Sequence, residues 1–351
     1  MTIEWPLIRH RNFQRALLKA QNAAIQADSG QCILITGPTG AGKSEVLYQV
    51  LNTLVGAPDT WPPGELHYIQ VDCDRSSPAN ITRNLVIDLN RAFHNPFVSL
   101  PVETDLAGAP RYRSFRTLIN EHDLRGSFRA LGAIYKTRYV GLDAMEHIQP
   151  SHPISGEARF DSIKSLALPH KKHVRAHEMV LIMGGHYSLL SYWRANTQLA
   201  RRVSEIYVAP YQRTREDILQ WEYILQTVDA LYPLDEGSSL RLWNDLLFDL
   251  SAGCIGILKK LLDDAVVEMN VCGHRSLLLD HIAAAAPPRD KLEQIRQDVE
   301  RCWPYFESSV SKATIDQIRS RTSPTGSSLS QGKKRRPGRV AGPRDKVGKK
   351  A

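Results

Sequence analysis

Residues 37–44 read Gly37-Pro38-Thr39-Gly40-Ala41-Gly42-Lys43-Ser44, the spacing G-x-x-x-x-G-K-S. Such a run builds an anion cradle. Its glycines let successive backbone N–H groups turn inward around phosphate oxygens, and the N-terminus of a following helix adds a positive dipole end. The lysine of this pattern reaches the β- and γ-phosphates of ATP, and the hydroxyl after it ligates Mg²⁺. Lys43 and Ser44 are therefore the expected phosphate and metal contacts. The metal also needs a carboxylate, and Asp143 stands at the end of the apolar run Tyr139 to Leu142.

In most ATPases with this arrangement the next residue is a glutamate that activates the attacking water. Here it is Ala144, and Glu146 lies two residues on. Glu146 either takes over that part or is a solvated carboxylate. A polar residue that senses the γ-phosphate is expected after a later strand. His186 stands there ahead of Ser188 as the candidate, the alternative being a structural histidine beside a turn. These departures predict secure ATP binding with hydrolysis that is slow or dependent on a partner.

Apolar, β-branched stretches predict the strands that position these residues: 32–36, 66–72, 138–143, 179–183 and 205–208. Helical spacing predicts helices over 9–28, 44–54, 79–93, 115–136 and 160–168. Strands alternating with helices mean an α/β fold with a mainly parallel sheet. From about residue 215 to 306 the apolar spacing is helical throughout, which predicts a separate helical domain. After about residue 322 the chain is Ser, Gly, Pro, Lys and Arg, a composition that cannot build a core and is expected to be disordered.

Charge is unevenly placed. Residues 332–351 carry nine Lys and Arg against Asp345, which accounts for the whole formal net charge of +8. That tail is suited to DNA, to docking on a partner protein, or to solubility alone. Within the body, Arg111, Arg113, Arg116, Arg125 and Arg129, with Tyr112 and Phe115 between them, form one basic cluster. It reads either as a set of phosphate contacts to double-stranded DNA or as a solvated helix face. Five scattered cysteines without C-x-x-C spacing argue for reduced thiols. His170-Lys171-Lys172-His173 lacks the cysteines or paired carboxylates of a metal site. No apolar run approaches membrane-spanning length, and the N-terminus lacks a signal pattern, so a cytoplasmic location without membrane contact is expected.

Taken in order, these landmarks resemble the AAA+ ATPases of heteromeric transposons, the TnsC/TniB family, and more distantly MuB. The resemblance covers about residues 8–285. Residues 160–167 look like the family's helix after the Walker B strand, and 179–185 like its sensor-1 strand. Residues 196–203 are close to its "x-Q-L-A-x-R" segment, and 251–262 look like its lid helix. The resemblance implies a P-loop AAA+ domain over 29–212, preceded by an N-terminal helix in 1–28. A small helical lid follows over 213–310, then a flexible basic tail over 311–351. It implies a homo-oligomeric ring or filament wound around DNA in bacteria, linking a target-selector protein to a transposase, in some systems CRISPR-associated. It further implies that Arg201 and Arg202 touch a neighbouring subunit's nucleotide, a role suited to the arginine fork. Gly256 stands where related ATPases often carry an arginine, leaving Lys259 or Lys260 as the lid's contacts, or none. Two other functions fit the same residues: a different AAA+ machine, such as a helicase loader or secretion-linked ATPase, and a non-hydrolysing, ATP-gated scaffold on DNA.

Overall fold

A computed structural model of the chain describes residues 3–28, 31–73, 81–95, 98, 103–104, 110–111, 121–148, 162–163, 165–166, 178–195 and 201–306. Helix α1 (Arg11–Gln26) starts where the His10 side chain accepts the Phe13 N–H, and it buries Phe13, Ala16, Ala20 and Ala24 along one stripe. Strand β1 (Cys32–Gly37) follows, then helix α2 (Lys43–Val55). Strand β2 (Tyr68–Asp72), helix α3 (Ile81–Ala92) and an antiparallel pair of two-residue strands, β3 (Glu103–Thr104) and β4 (Pro110–Arg111), come next. Helix α4 (Glu121–Ile134), strands β5 (Tyr139–Asp143) and β6 (Val180–His186), helix α5 (Leu189–Ala195) and strand β7 (Val203–Tyr207) complete the sheet region.

Five strands form one parallel sheet in the order β2-β5-β6-β1-β7. In the central strands β1, β5 and β6 both faces are buried, which explains their nearly continuous apolar sequences. Alternate residues serve the two faces. Ile33, Ile35 and Ile182 pack toward α1 and α2, whereas Leu34, Leu181 and Met183 pack toward α3, α4 and α5.

Four helices follow the sheet: α6 (Arg215–Asp229), α7 (Asn244–Ser251), α8 (Ile255–Val271) and α9 (Leu279–Ala284). They enclose a second core around Trp221, Leu225, Leu247, Leu258 and Leu262. Ile3, Trp5 and Ile8 also pack on this core, and Trp5 Nε1 donates to Tyr232 Oη at 2.7 Å. The N-terminal segment thus belongs half to the helical region and half, through α1, to the sheet. Helix α10 (Arg289–Phe306) ends the described chain. Met1–Phe306 forms one compact unit.

Differences from the expected elements are local. The helix expected over 115–136 is described as α4 from Glu121, with 112–120 outside the described residues. Strand β6 does not stop before the glycine pair but runs through Gly184 and Gly185 to His186. The stretch read as purely helical contains a parallel bridge between Leu234 and Leu277. Arg113, Arg116, most of the 160–168 helix, residues 196–200 and the basic tail lie outside the described residues. Among the described residues no helix is long and apolar enough to cross a membrane.

Candidate functional site

The loop from Gly37 to Gly42 joins β1 to α2. Gly40 (φ +74°) and Gly42 (φ +95°) adopt the left-handed backbone that favours glycine, so the loop curls before Lys43 opens the helix. A side chain at Gly37 would sit 2.5 Å from the Val208 carbonyl oxygen, whereas the Cβ position of Gly42 faces open space. Lys43 folds back, its Nζ donating to the Pro38 carbonyl at 2.9 Å. Burial lowers its pKa, and the nearby Glu146, Asp143 and Asp298 carboxylates, with Cys254, act in the opposite direction.

Sheet register brings the other candidates to the same edge. Gly37 pairs with His186 across β1 and β6, and Leu142 pairs with Met183 across β5 and β6. Asp143 and His186 therefore end their strands beside the loop. In open α/β sheets this carboxyl edge, where strand order reverses, is where ligands bind. Asp143 is buried and its Oδ1 accepts the Ala144 N–H at 2.8 Å. A Cβ on Gly184 would come within 2.7 Å of that oxygen, so the glycine leaves room for the carboxylate. Ala144 takes a left-handed φ of +52°, which swings the following turn, 145–148, back toward β6. There Glu146 Oε2 accepts the His186 N–H at 3.1 Å. The expected catalytic carboxylate is thus tied to the backbone of the expected sensor.

A hydroxyl at Ser44 and a carboxylate at Asp143 are hard oxygen donors of the kind Mg²⁺ prefers. Ser44 is exposed in the first turn of α2, and Asp143 shares the neighbourhood of Lys43. The residues present fit the ion.

One residue at this edge had no signal in the sequence. Asp298, on α10, accepts the Thr39 N–H at 3.2 Å through Oδ2. Its Oδ1 accepts from Tyr187 Oη at 3.0 Å and lies 2.8 Å from His186 Nε2. The Ser188 N–H donates to His186 Nδ1 at 3.3 Å, which leaves the imidazole proton on Nε2, facing Asp298. Burial acts to raise the Asp298 pKa, but the hydrogen bonds from His186 and Thr39 outweigh it and hold the carboxyl below its usual range.

Helix α8 meets the loop through backbone. Gly256 N donates to the Gly40 carbonyl at 2.8 Å, and a Cβ on Gly256 would lie 2.9 Å from that oxygen. The lysines expected as contacts point elsewhere: Lys259 Nζ bonds to Asp263 and to the Ile3 carbonyl, and Lys260 to Asp264. No arginine fits at position 256 because two backbones touch there.

Arg201 and Arg202 are exposed in the turn entering β7. The Arg202 carbonyl accepts the Cys32 N–H at 2.8 Å, which places the pair at the opposite end of β1 from the phosphate loop. At about 3.3 Å per residue, the length of β1 separates them from their own chain's loop by roughly 16 Å. Arg125 and Arg129 turn inward, away from the role expected for a basic surface. Arg125 bonds to Glu121, to the Ser162 carbonyl and to Ser165 Oγ, and Arg129 to the Ser165 carbonyl. The two arginines clamp α4 to Ser162 and Ser165. Arg111 lies in β4, paired with Glu103 of β3.

Neither a protein-family model nor a curated protein sequence matches the chain. Solved structures do. The Aeropyrum pernix ORC2 protein in its ADP form aligns with a TM-score of 0.53 at 14% identity, over 80% of this chain and 69% of that one. The same protein with ADPNP and ADP aligns with a TM-score of 0.50 at 14% identity, over 82% of this chain and 69% of that one. The chain has the α/β fold of the P-loop AAA+ ATPases. Within that AAA+ fold, the loop, Asp143 and His186 occupy the carboxyl edge of the sheet, and α8 and α10 cover it.

Proposed function

We propose that this chain is an ATP-dependent regulator of DNA transposition. It binds ATP with Mg²⁺ at residues 37–44 and assembles on double-stranded DNA as a ring or helical filament, linking a target selector to a transposase. Lys43 and the loop N–H groups hold phosphate, Ser44 and Asp143 hold the metal, and His186 reads the terminal phosphate. The bound Mg²⁺ would neutralise charge on the phosphate oxygens. The observation that carries the nucleotide reading is the convergence of the curled loop, Asp143 and His186 on one sheet edge. That the ORC2 structures hold ADP and ADPNP supports it.

Assembly rests on Arg201 and Arg202. They are exposed and out of reach of their own loop, a placement suited to a neighbour's nucleotide. DNA contact is assigned to Arg111, Arg113, Arg116 and the basic tail, since Arg125 and Arg129 are committed to internal bonds. Residues 29–212 form the ATPase core in this reading, 213–310 the lid and 311–351 the tail.

A second reading, a scaffold in which ATP sets assembly without turnover, is favoured by Ala144 and by the engagement of Glu146 with the His186 N–H. Negative-stain imaging of the chain with DNA and ATP tests the first reading. Rings or filaments that need both are expected, and none under any condition overturns it. Phosphate release measured on the same samples separates the two readings.

A further inference from the structure

Helix α10 spans two cores. Its Leu292 packs on the lid core, while Cys302, Trp303 and Phe306 pack on the sheet core. Tyr305 faces Tyr187, with the Arg194 guanidinium 5.7 Å from its ring centroid. Between these anchors Asp298 reaches into the phosphate loop and takes the Thr39 N–H, one of the donors that the loop offers to an anion.

The carboxylate sits in a crowded place. Lys43 has Asp143, Glu146 and Asp298 as neighbours, so its single positive charge already faces three acids. A triphosphate brings further negative charge into that space, and Mg²⁺ offsets only part of it. Asp143 is fixed in β5, and Glu146 is fixed by the His186 N–H. Asp298 arrives from a separate helix whose hold on the loop is one backbone hydrogen bond. The same carboxylate also occupies His186 Nε2 and Tyr187 Oη, the donors at the end of β6. A terminal phosphate read by His186 and the Asp298 carboxylate would compete for His186 Nε2–H and Tyr187 Oη–H, at a separation where like charges repel strongly.

We propose that Asp298 is an internal anion of the phosphate loop, and that a nucleotide with a γ-phosphate displaces it and loosens α10 from the sheet. This rests on reading residues 37–44 as the ATP site. ADP lacks the competing group and leaves Asp298 in place. Helix α10 is then a strap whose release reports the triphosphate state.

Amide hydrogen exchange on the full chain tests this, with Mg²⁺ and either ADPNP or ADP. In ADPNP the amides of residues 293–303 are expected to exchange about tenfold faster than without nucleotide, and in ADP at nearly the unliganded rate. Asp298→Asn removes the charge and keeps the shape. It should bind ADPNP about tenfold more tightly than the wild type, with ADP affinity changed less than about twofold. Asp298→Ala should show fast exchange in α10 before any nucleotide is added. The proposal is overturned if ADPNP slows or leaves unchanged the exchange of α10, or if the Asn variant binds ADPNP equally or more weakly. The latter result would make Asp298 a ligand of the nucleotide rather than its competitor. Lys43→Ala separates this from the site itself. Loss of ADPNP binding there, with α10 unresponsive in the wild type, sinks the strap alone. ADPNP binding that survives Lys43→Ala, or is missing from the wild type, sinks the site assignment and the strap with it.

Discussion

The backbone N–H of Gly256 donates to the carbonyl of Gly40 at 2.8 Å, so the first turn of α8 rests on the phosphate loop itself. Gly40 is held in the left-handed region, with Ile257 packed where its side chain would be. Loop curvature and lid position are therefore one geometry. Gly256→Ala places a methyl 2.9 Å from the Gly40 oxygen, and neither backbone can yield cheaply. The substitution is expected to cost about 1–3 kcal/mol of stability by overpacking. Urea unfolding checks it. A variant as stable as the wild type would mean that the lid does not dock on the loop.

Lys43→Ala should weaken ATP binding by about 2–3 kcal/mol, roughly 30- to 150-fold, the cost of losing hydrogen bonds to a charged group. The fold should persist, because among the described residues Lys43 Nζ bonds to the Pro38 carbonyl within the loop alone. Titration with a fluorescent ATP analogue gives the affinity, and circular dichroism checks the fold. Unchanged affinity would remove the loop from its assigned role.

Replacing Arg201 and Arg202 by alanine should leave ATP affinity of the monomer within about twofold and abolish ATP-dependent assembly on DNA, since one arginine contact to a neighbour's phosphate contributes charge-assisted bonds that no other group replaces. Both side chains are exposed, so stability should hold. Sedimentation with ATP and DNA reads the assembly. Normal assembly by the double variant would show that these arginines are ordinary surface residues.

Removing residues 332–351 takes away nine basic residues and one acid. If the tail binds the DNA backbone, affinity for double-stranded DNA should fall, and the slope of log affinity against log salt should flatten by about 0.9 for each phosphate that the tail had neutralised. An identical slope with a weaker transposase interaction would instead make the tail a protein-docking segment.

His10 gives the fold a pH dependence. It caps α1, its Nδ1 accepting the Phe13 N–H and lying 2.8 Å from Tyr211 Oη, and burial pushes its pKa down from 6.5 to about 4. Between those values the unfolded chain binds a proton that the folded chain refuses. The neutral histidine's contribution is therefore intact above pH 6.5 and declines as the pH falls toward 4, by on the order of 3 kcal/mol in all. His10→Asn keeps a capping residue and removes this dependence. Urea midpoints at pH 7.5 and 4.5 should fall less in the variant than in the wild type.

Much of the fold could be read from local pattern. The run Cys32 to Thr36, buried on alternate faces of one sheet, has the apolar, β-branched sequence that such a strand needs. Gly40 and Gly42 announced their loop because only glycine takes those φ angles cheaply. The boundary at Gly184-Gly185 was less legible. Two glycines read as a break, but they pair with Ile35 and Thr36 inside β6, and they are glycine because a side chain there would meet Asp143 or Leu189. Arg125 and Arg129 read as a basic surface because charge pattern carries no direction. Their partners, Ser162 and Ser165, are more than thirty positions away.

By itself, the sequence determined the phosphate loop, the order of strands and helices, and the absence of a glutamate after Asp143. Each of these depends on backbone conformation or burial period, which neighbouring residues encode. Tertiary structure alone decided that Asp298 would stand on the Thr39 amide from 259 residues away, that Glu146 would hold the His186 N–H, and that α8 would touch the loop through Gly256. Those contacts depend on how whole helices and strand ends lie across one another, and no local spacing along the chain records that.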